Sequence, residues 1–299
     1  MKLAAIDIGS NAIRFQITNI TQYQGETYFK RLEYVRFPLR LGQDVFKQKA
    51  IGQVLEDKFL KLMHSFKLLI ELYEVDDYYA CATSAMREAK NGRAIAEKVK
   101  QLFDLKINII SGEEEAELIN RVVMKQLKSG TFLHIDVGGG STEFNLIKKG
   151  ERKLSKSFKI GSVRSISKKS LKKEFDTMAN WLTTNIANNY QNVTAVGTGG
   201  NINKLYELSN TKSKTRTFTL EKLEEVQALL KGLTTEEMIY RLHLNPDRAD
   251  VILPASKIYK LAMQSVYANK IIVPDVGLKD GIMHMLYERN LGQNQRMFK

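Results

Sequence analysis

The chain has 299 residues, 43% of them hydrophobic and 26% charged, and 46 Lys and Arg against 33 Asp and Glu give a formal net charge of +13. That length suits one large domain or two medium ones, each with its own core, and no apolar run reaches the roughly 20 residues that a membrane-spanning helix requires. The single cysteine, Cys81, excludes an internal disulfide and fits a reducing compartment.

The opening MKLAAIDIGS carries one Lys and a short apolar stretch stopped by Asp7, which does not make a secretory signal; a cytoplasmic protein with no membrane contact is expected. Strand-like alternation covers Leu3–Ile8, Ala12–Ile20 and Thr27–Phe37. A helical period follows over about 52–73, with Leu55, Phe59, Leu62, Phe66, Leu69 and Ile70 on one face. Tyr78–Ala82 reads as a short buried strand that contains Cys81, a core residue rather than a nucleophile. Asn91–Phe103 is helical and Ile107–Ile110 is a strand. Ser111 then precedes Glu113, Glu114 and Glu115, a helix cap followed by an acidic first turn, and that helix extends to about Lys128. Strands are expected over Thr131–Val137, Thr142–Lys148, Lys153–Ile160 and Val193–Val196. Helices are expected over about 161–190, at Asn201–Leu208 and through most of 219–290, with a strand at Ile271–Val273. The alternation predicts an α/β fold.

The second half repeats the first. With Asp7 laid on Asp136, Ile6-Asp7-Ile8-Gly9 falls on Ile135-Asp136-Val137-Gly138, Phe15 on Phe144 and Ile17 on Leu146. Two strand–Asp–Gly turn–strand units in matching register point to an internal duplication. In each, a carboxylate ends a buried strand and glycines let backbone amides approach an anion. The first loop offers Asp7, Gly9, Ser10 and Asn11. The second offers Asp136, Gly138, Gly139, Gly140, Ser141, Thr142 and Glu143. A carboxylate beside a phosphate cradle would repel phosphate unless a cation stood between them, and magnesium held by one or two carboxylates and phosphate oxygens meets that need. Two plain hairpins with Asp stabilising the turn are the structural alternative. A third element, Gly197-Thr198-Gly199-Gly200, lies between a strand and a helix, where a phosphate cradle and a simple tight turn are both open readings.

Charge is also uneven along the chain: residues 148–174 hold eleven Lys or Arg against two Glu. A solvated surface and a landing strip for a polyanion both fit. No zinc-finger spacing, RNA-binding aromatic motif or basic helix with heptads supports specific nucleic acid binding.

The blocks AAIDIGSNAIRF (4–15), ATSAMREAKN (82–91), IISGEEEAELI (109–119), IDVGGGSTEFNLI (135–147), FKIGSVR (158–164) and AVGTGGNINKL (195–205), with RADVILPA (248–255) and GLKDG (277–281), together resemble the exopolyphosphatase/guanosine pentaphosphate phosphatase family. The resemblance implies two actin-like (ribonuclease H-like) domains of the sugar kinase, heat-shock chaperone and actin superfamily, with a cleft between them. Boundaries at 1–125 and 126–299 are expected, a helix of about 280–299 being free to pack back on the first domain. It further implies a hydrolase that removes terminal phosphate from inorganic polyphosphate or guanosine penta- or tetraphosphate, with Mg2+ or Mn2+ as cofactor, and it is compatible with a homodimer.

By the same resemblance Glu115 is the base that activates water, with Glu114 as the fallback. Arg87 holds phosphate, and Asp7, Asp136 and Glu143 hold the metal. Without the family, Glu113–Glu115 reads as a plain acidic helix start, Arg87 as a surface arginine and Glu143 as a cross-strand charge partner. Two departures stand out. Glu117 occupies a position where many members carry Arg. The chain ends at Lys299, without the helical region that helps longer members hold polymer, and His64, His134, His243 and His284 form no His-Asp pair to replace it. Short chains or a nucleotide are therefore the expected substrates. A phosphotransferase moving phosphate between ATP and an acceptor, and a nonenzymatic polyphosphate or alarmone sensor, are the competing expectations.

Overall fold

The structure, a computed structural model, describes residues 1–127, 129–164 and 167–297. The chain divides into two compact α/β units, Met1–Val122 with Gly277–Lys299, and Val123–Val276.

In the first unit the strands are β1 (Lys2–Ile8), β2 (Ile13–Tyr23), β3 (Glu26–Phe37), β4 (Asp77–Ala82) and β5 (Ile107–Ile109), ordered β3-β2-β1-β4-β5. The β1–β2 and β2–β3 pairs are antiparallel, and β1–β4 and β4–β5 are parallel. Strand β1 is flanked on both edges and buried almost throughout, so its sequence is a continuous apolar run broken late by Asp7. The β2–β3 hairpin turns on Gln24 and Gly25, both at positive φ (50° and 79°), a pairing whose twist matches that of the strands. Helices α1 (Leu41–Gln48), α2 (Gln53–Leu72), α3 (Ser84–Glu88), α4 (Gly92–Phe103) and α5 (Gly112–Gln126) complete this part. Helix α2 buries Phe59, Met63, Phe66 and Ile70, and Phe66 stacks on Phe15 of β2 at 4.6 Å between ring centroids. The buried stripe is thus rotated from the expected one: Met63 replaces Leu62 and Leu69, which lie half-buried at its margin.

In the second unit β6 (Thr131–Val137), β7 (Thr142–Lys148), β8 (Glu151–Phe158), β9 (Val193–Thr198), β10 (Thr217–Thr219) and β11 (Lys270–Ile272) are ordered β10-β11-β9-β6-β7-β8. Helix α6 (Lys168–Leu182) runs into a π turn at Thr183–Ala187. It is followed by α7 (Gly200–Leu208), α8 (Leu220–Lys231), α9 (Thr235–Arg241), α10 (Pro246–Ala249) and α11 (Ile252–Ser265). One side of the sheet is sealed by Leu133, Ile135, Phe144, Leu146, Met178 and Tyr259, with Phe144, Phe158 and Trp181 in mutual ring contact. Helix α12 (Leu278–Met297) returns to the first unit. Its Gly281 lies against the Leu118 backbone of α5, where a Cβ would stand 2.1 Å from the carbonyl oxygen, and Arg289 and Asn290 bond Asp77 at 2.6 and 2.8 Å.

The duplication extends to hydrogen bonds. Ile6 pairs with Phe15 and Ile135 with Phe144, in the same register. Gly9 N–H donates to Ala12 O at 3.2 Å and Gly138 N–H to Ser141 O at 3.0 Å. A register shift falls at Ile17/Thr18 in one copy and at Leu146/Ile147, the matching positions, in the other. The second hairpin also turns on a positive-φ pair, Lys149 and Gly150.

Several boundaries differ from expectation. Residues 161–164 form a loop rather than a helix, because their amides are taken by the glycine loop described below; positions 165 and 166 of the expected helix lie outside the described residues, as does Lys128 at the end of the expected α5. Strand β8 begins two residues earlier than expected and ends at Phe158. Helices α1 and α3 and strand β10 carry no long period and are not foreseen. None of the described helices is long and apolar enough to cross a membrane.

Candidate functional site

In the first unit, the turn after β1 is locked from inside. Ser10 is buried, and its Oγ lies 2.8 Å from Ser84 Oγ and accepts the Ala85 amide at 3.1 Å. Its carbonyl takes the Gly42 amide and that of Asn11 takes the Arg40 amide. The hydroxyl expected to face phosphate thus joins the loop to the start of α3. Asp7 is nearly buried and lies opposite Arg14, whose Nη1 donates to Asp7 Oδ2 at 2.9 Å. Arg14 escapes a motif-by-motif reading, but the repeat could have found it: at the matching position of the second copy stands Glu143.

Across the sheet, Asp7 also pairs with Cys81 of β4, which is fully buried. Burial above all, then the Asp7 and Glu115 charges, pushes the Cys81 thiol well above its ordinary range. The thiol therefore stays protonated at neutral pH.

Ser111 and Glu114 form a reciprocal cap on α5: Ser111 N–H donates to Glu114 Oε2 at 2.7 Å, and Glu114 N–H donates to Ser111 Oγ at 3.1 Å. These bonds hold the Glu114 carboxyl below its usual range and give it a structural task. Glu115, one position later, is half-buried, and its amide donates to Ser111 O at 3.1 Å. Arg87 of α3 donates from Nη1 to Ile110 O at 2.6 Å, which ties it to the entrance of α5.

In the second unit three loops are laced together. The carbonyls of Gly138, Gly139 and Gly140 face the 160–164 segment. They accept from the Ser162 amide (2.9 Å), the Val163 and Arg164 amides (2.8 and 3.0 Å) and Arg164 Nε (2.6 Å). Gly161 is required here, since a Cβ would stand 2.5 Å from the Gly139 backbone. Among the described residues, the amides of Gly139, Gly140 and Ser141 donate to no protein acceptor, which leaves three successive N–H groups for an anion. Thr142, fully buried, donates to Ile160 O at 2.7 Å, so its hydroxyl braces the loop.

Asp136 and Glu143 lie directly opposite one another on β6 and β7, and Ser157 of β8 donates to Glu143 Oε1 at 3.1 Å. Carboxylates placed this close repel unless cations or donors accompany them. The Asp136 carboxylate leans towards the third loop: Oδ1 lies 3.1 Å from where a Gly199 Cβ would be, and Gly199 has φ 91°. Gly200 starts α7 beneath Arg248, whose Nη2 would be 2.7 Å from a Cβ there. Arg248 Nη1 donates to Asn201 Oδ1 at 2.6 Å, and Asn201 Nδ2 donates to Ser162 Oγ at 3.2 Å, closing the circuit among the loops. Arg248 and Asn201 carry no motif of their own by composition or period and stand only inside the blocks that resemble the family.

Below this rim Thr198 is fully buried, with Oγ1 2.8 Å from His134 Nε2, and its carbonyl accepts Tyr259 Oη–H at 3.0 Å. Burial lowers the His134 pKa to about 4, so the ring is neutral at pH 7. Burial, and secondarily Asp136, pushes the Tyr259 hydroxyl well above its ordinary range, so it remains a donor.

Among the described residues no group of three or more His, Cys, Asp or Glu forms a ready-made metal cage. The Asp136–Glu143 pair beside an anion cradle nonetheless fits magnesium, which takes one or two carboxylates and fills its remaining positions with water and phosphate oxygens.

The chain resembles several known proteins. The chain is 33% identical over 173 residues to the bifunctional 3-dehydroquinate synthase/phosphatase of Fusobacterium nucleatum, covering 55% of this chain and 26% of that protein. It is 25% identical to the guanosine-5'-triphosphate,3'-diphosphate pyrophosphatase of Aeromonas hydrophila (79% of this chain, 51% of that one). It is 23% identical to a putative exopolyphosphatase of Haemophilus influenzae (97% and 92%). The chain therefore spans about a quarter and about half of the first two relatives. The fold is shared with the crystal structure of an exopolyphosphatase from Cytophaga hutchinsonii, at a TM-score of 0.83 and 22% identity over 96% of this chain and 98% of that one. The model of the Ppx/GppA phosphatase family matches residues 20–290, and the chain belongs to that family.

Proposed function

We propose that the chain is a phosphohydrolase that releases terminal phosphate from inorganic polyphosphate or guanosine pentaphosphate by metal-assisted attack of water. The observation that carries this reading is the second unit's Asp136–Glu143 pair, set beside three successive amides without a protein acceptor among the described residues. Donors for a phosphoryl oxygen and carboxylates for a cation stand within one repeat. The relatives named as an exopolyphosphatase and as a guanosine-5'-triphosphate,3'-diphosphate pyrophosphatase support the substrate class.

Asp136 and Glu143 would hold Mg2+ or Mn2+, and such an ion, when bound, supplies positive charge to the oxygens of the group being transferred. The amides of Gly139, Gly140 and Ser141 bind and orient the phosphoryl oxygens. Backbone donors need no reorganisation as charge develops on them. Arg14 pairs with Asp7 at 2.9 Å, so Asp7 in the first unit is served by an internal cation. Glu115 is assigned the steering of water, since the carboxylate of its neighbour Glu114 is engaged at the helix cap.

The test is phosphate release from polyphosphate, guanosine pentaphosphate and ATP with Mg2+, beside a Glu115→Ala variant. Release from at least one of the first two is expected, with Glu115→Ala binding substrate normally and losing roughly 100- to 10,000-fold in turnover. Binding without release from any substrate would indicate a sensor, and ADP formation that requires an acceptor would indicate a phosphotransferase.

A further inference from the structure

Strands β1, β4 and β5 lie side by side in the first sheet and run parallel to one another. The loop that carries Gly9 and Ser10 leaves β1, and the turn that leads to Glu115 leaves β5. Two inter-strand spacings, about 10 Å, therefore separate their starting points. Helix α3 leaves β4, the strand between them, and has five residues. A helix that short is not stable by its own bonds, and among the described residues its N-cap, Thr83, makes no side-chain cap bond. The bonds that hold it run to either side.

Towards β1, the Thr83 amide donates to Ile8 O at 3.1 Å, one step beyond the Ile8–Ala82 pair that ends the ladder. Ser10 Oγ accepts the Ala85 amide at 3.1 Å and lies 2.8 Å from Ser84 Oγ, and both serines are buried. Towards β5, the Ile110 amide donates to Ala82 O at 3.0 Å, and Arg87 Nη1 donates to Ile110 O at 2.6 Å. Both backbone polar groups of Ile110 are thus held by the segment that ends β4 and forms α3. Ser111 follows at once, and its carbonyl takes the Glu115 amide at 3.1 Å. From behind, Gly92 brings the start of α4 so close that a Cβ there would stand 2.1 Å from Met86 O of α3.

We propose that Ser84 and Arg87 are positioning residues: α3 is a strut that fixes the separation between the first loop and Glu115, with Ser84 fastened to the loop and Arg87 to the entrance of α5. This rests on the phosphohydrolase reading for its consequence in turnover only; the rigidity of the 110–115 segment stands apart from it. A guanidinium has five N–H donors, so the bond to Ile110 O leaves the charge of Arg87 available to a phosphoryl oxygen as well. Nothing in composition or period announces the strut, because each of its bonds joins segments far apart in sequence.

The experiment compares Arg87→Met, Arg87→Lys and Ser84→Ala in the full chain. Native-state hydrogen exchange without ligand is read at the Ala85, Ile110 and Glu115 amides. Arg87→Met should speed exchange at Ile110 and Glu115 roughly fivefold, as the loss of one hydrogen bond implies. Arg87→Lys keeps a donor on a long side chain and should recover part of that protection. Ser84→Ala should speed exchange at Ala85, and the β9 amides of the second unit should exchange as in the unsubstituted chain. In phosphate release from polyphosphate with Mg2+, Arg87→Met and Ser84→Ala should each lower kcat roughly 10- to 100-fold, the scale of a misplaced reacting group. Ser84→Ala should leave KM within about threefold. In a Glu115→Ala background the same two substitutions should change kcat by less than about threefold, because residues that act through a third lose their effect without it.

Unchanged exchange at Ile110 and Glu115 in Arg87→Met would overturn the proposal, as would faster exchange throughout both units. Equal losses of kcat with and without Glu115 would overturn it too, since the two residues would then serve the fold or substrate binding alone. If the unsubstituted chain releases no phosphate from any substrate, the hydrolase reading falls while the exchange pattern still decides the strut.

Discussion

Glu114 and Glu115 are neighbours on the first turn of α5, and the Glu114 carboxylate has a structural task there. Glu114 closes a reciprocal cap with Ser111, so Glu114→Ala should cost about 1 kcal/mol of stability and leave most of the turnover. Glu115→Ala should do the opposite. Urea denaturation beside phosphate release separates the two; a Glu114→Ala variant that loses turnover as fully as Glu115→Ala would place the base on Glu114. His134 makes a second prediction at this scale. Its pKa in the folded chain, about 4, lies below the ordinary value of 6.5. Above pH 6.5 the ring is neutral in both folded and unfolded chains and contributes no pH dependence. As pH falls from 6.5 towards 4, only the unfolded chain takes up the proton, so stability drops. Between pH 7.5 and pH 5 the loss attributable to this ring is about 2 kcal/mol. The double variant His134→Val, Asn145→Val should lose that increment of pH dependence in urea titrations, and an unchanged dependence would mean the ring is not held neutral by burial.

At the scale of elements, the glycine loop of the second unit packs backbone against backbone on the segment that follows β8. Gly161 meets Gly139 backbone to backbone. Gly161→Ala should therefore push the two loops apart, costing about 1–3 kcal/mol as other overpacked sites do, and should raise KM for the phosphorylated substrate. Gly277→Ala, with nothing within 4 Å of the added Cβ, is the control and should change KM little. Equal effects from the two would mean the loop contact does not shape the anion site.

Both copies of the Asp-Gly hairpin, their register and the helices of long period are legible in the sequence, because strand alternation and a constant offset between copies are properties of residue order alone. The two short helices of the first unit are not, since α1 contains Gly42 and α3 has only five residues. The segment 161–164 departs from the expected helix because its amides are taken by the carbonyls of Gly138 and Gly139, bonds that no local pattern announces. Of the expected phosphate-facing hydroxyls, those of Ser10, Thr142 and Thr198 are internal struts, because a hydroxyl's direction depends on what surrounds it.

At the scale of the whole molecule, the duplication has diverged where it matters chemically. The residue opposite the loop aspartate is Arg14 in one copy and Glu143 in the other, so an ion pair in the first copy is replaced by two facing carboxylates in the second. The net charge of +13 adds a long-range attraction for polyanions. In the basic stretch, Lys148, Lys149, Arg152, Lys153, Lys156, Lys159, Lys169, Lys172 and Lys173 are exposed, while the Lys168 side chain lies outside the described residues. If this stretch extends the polyanion footprint, affinity for longer polyphosphate should fall steeply between about 50 and 200 mM salt, as counterion release requires. Affinity for a single terminal phosphate should fall less. Equal salt dependence for short and long chains would return the stretch to ordinary surface.

The most direct measurement is Mg2+-dependent phosphate release from polyphosphate and guanosine pentaphosphate by the intact chain and by Glu143→Gln, alongside the rise in Tm that Mg2+ with tripolyphosphate gives each protein. The intact chain should release phosphate only with the metal and gain Tm on adding it. Glu143→Gln should fold, lose most of the Tm gain and fall at least roughly 100-fold in release. Full activity in Glu143→Gln, or metal-independent release by the intact chain, would contradict the assignment of the second copy as the site that holds the cation.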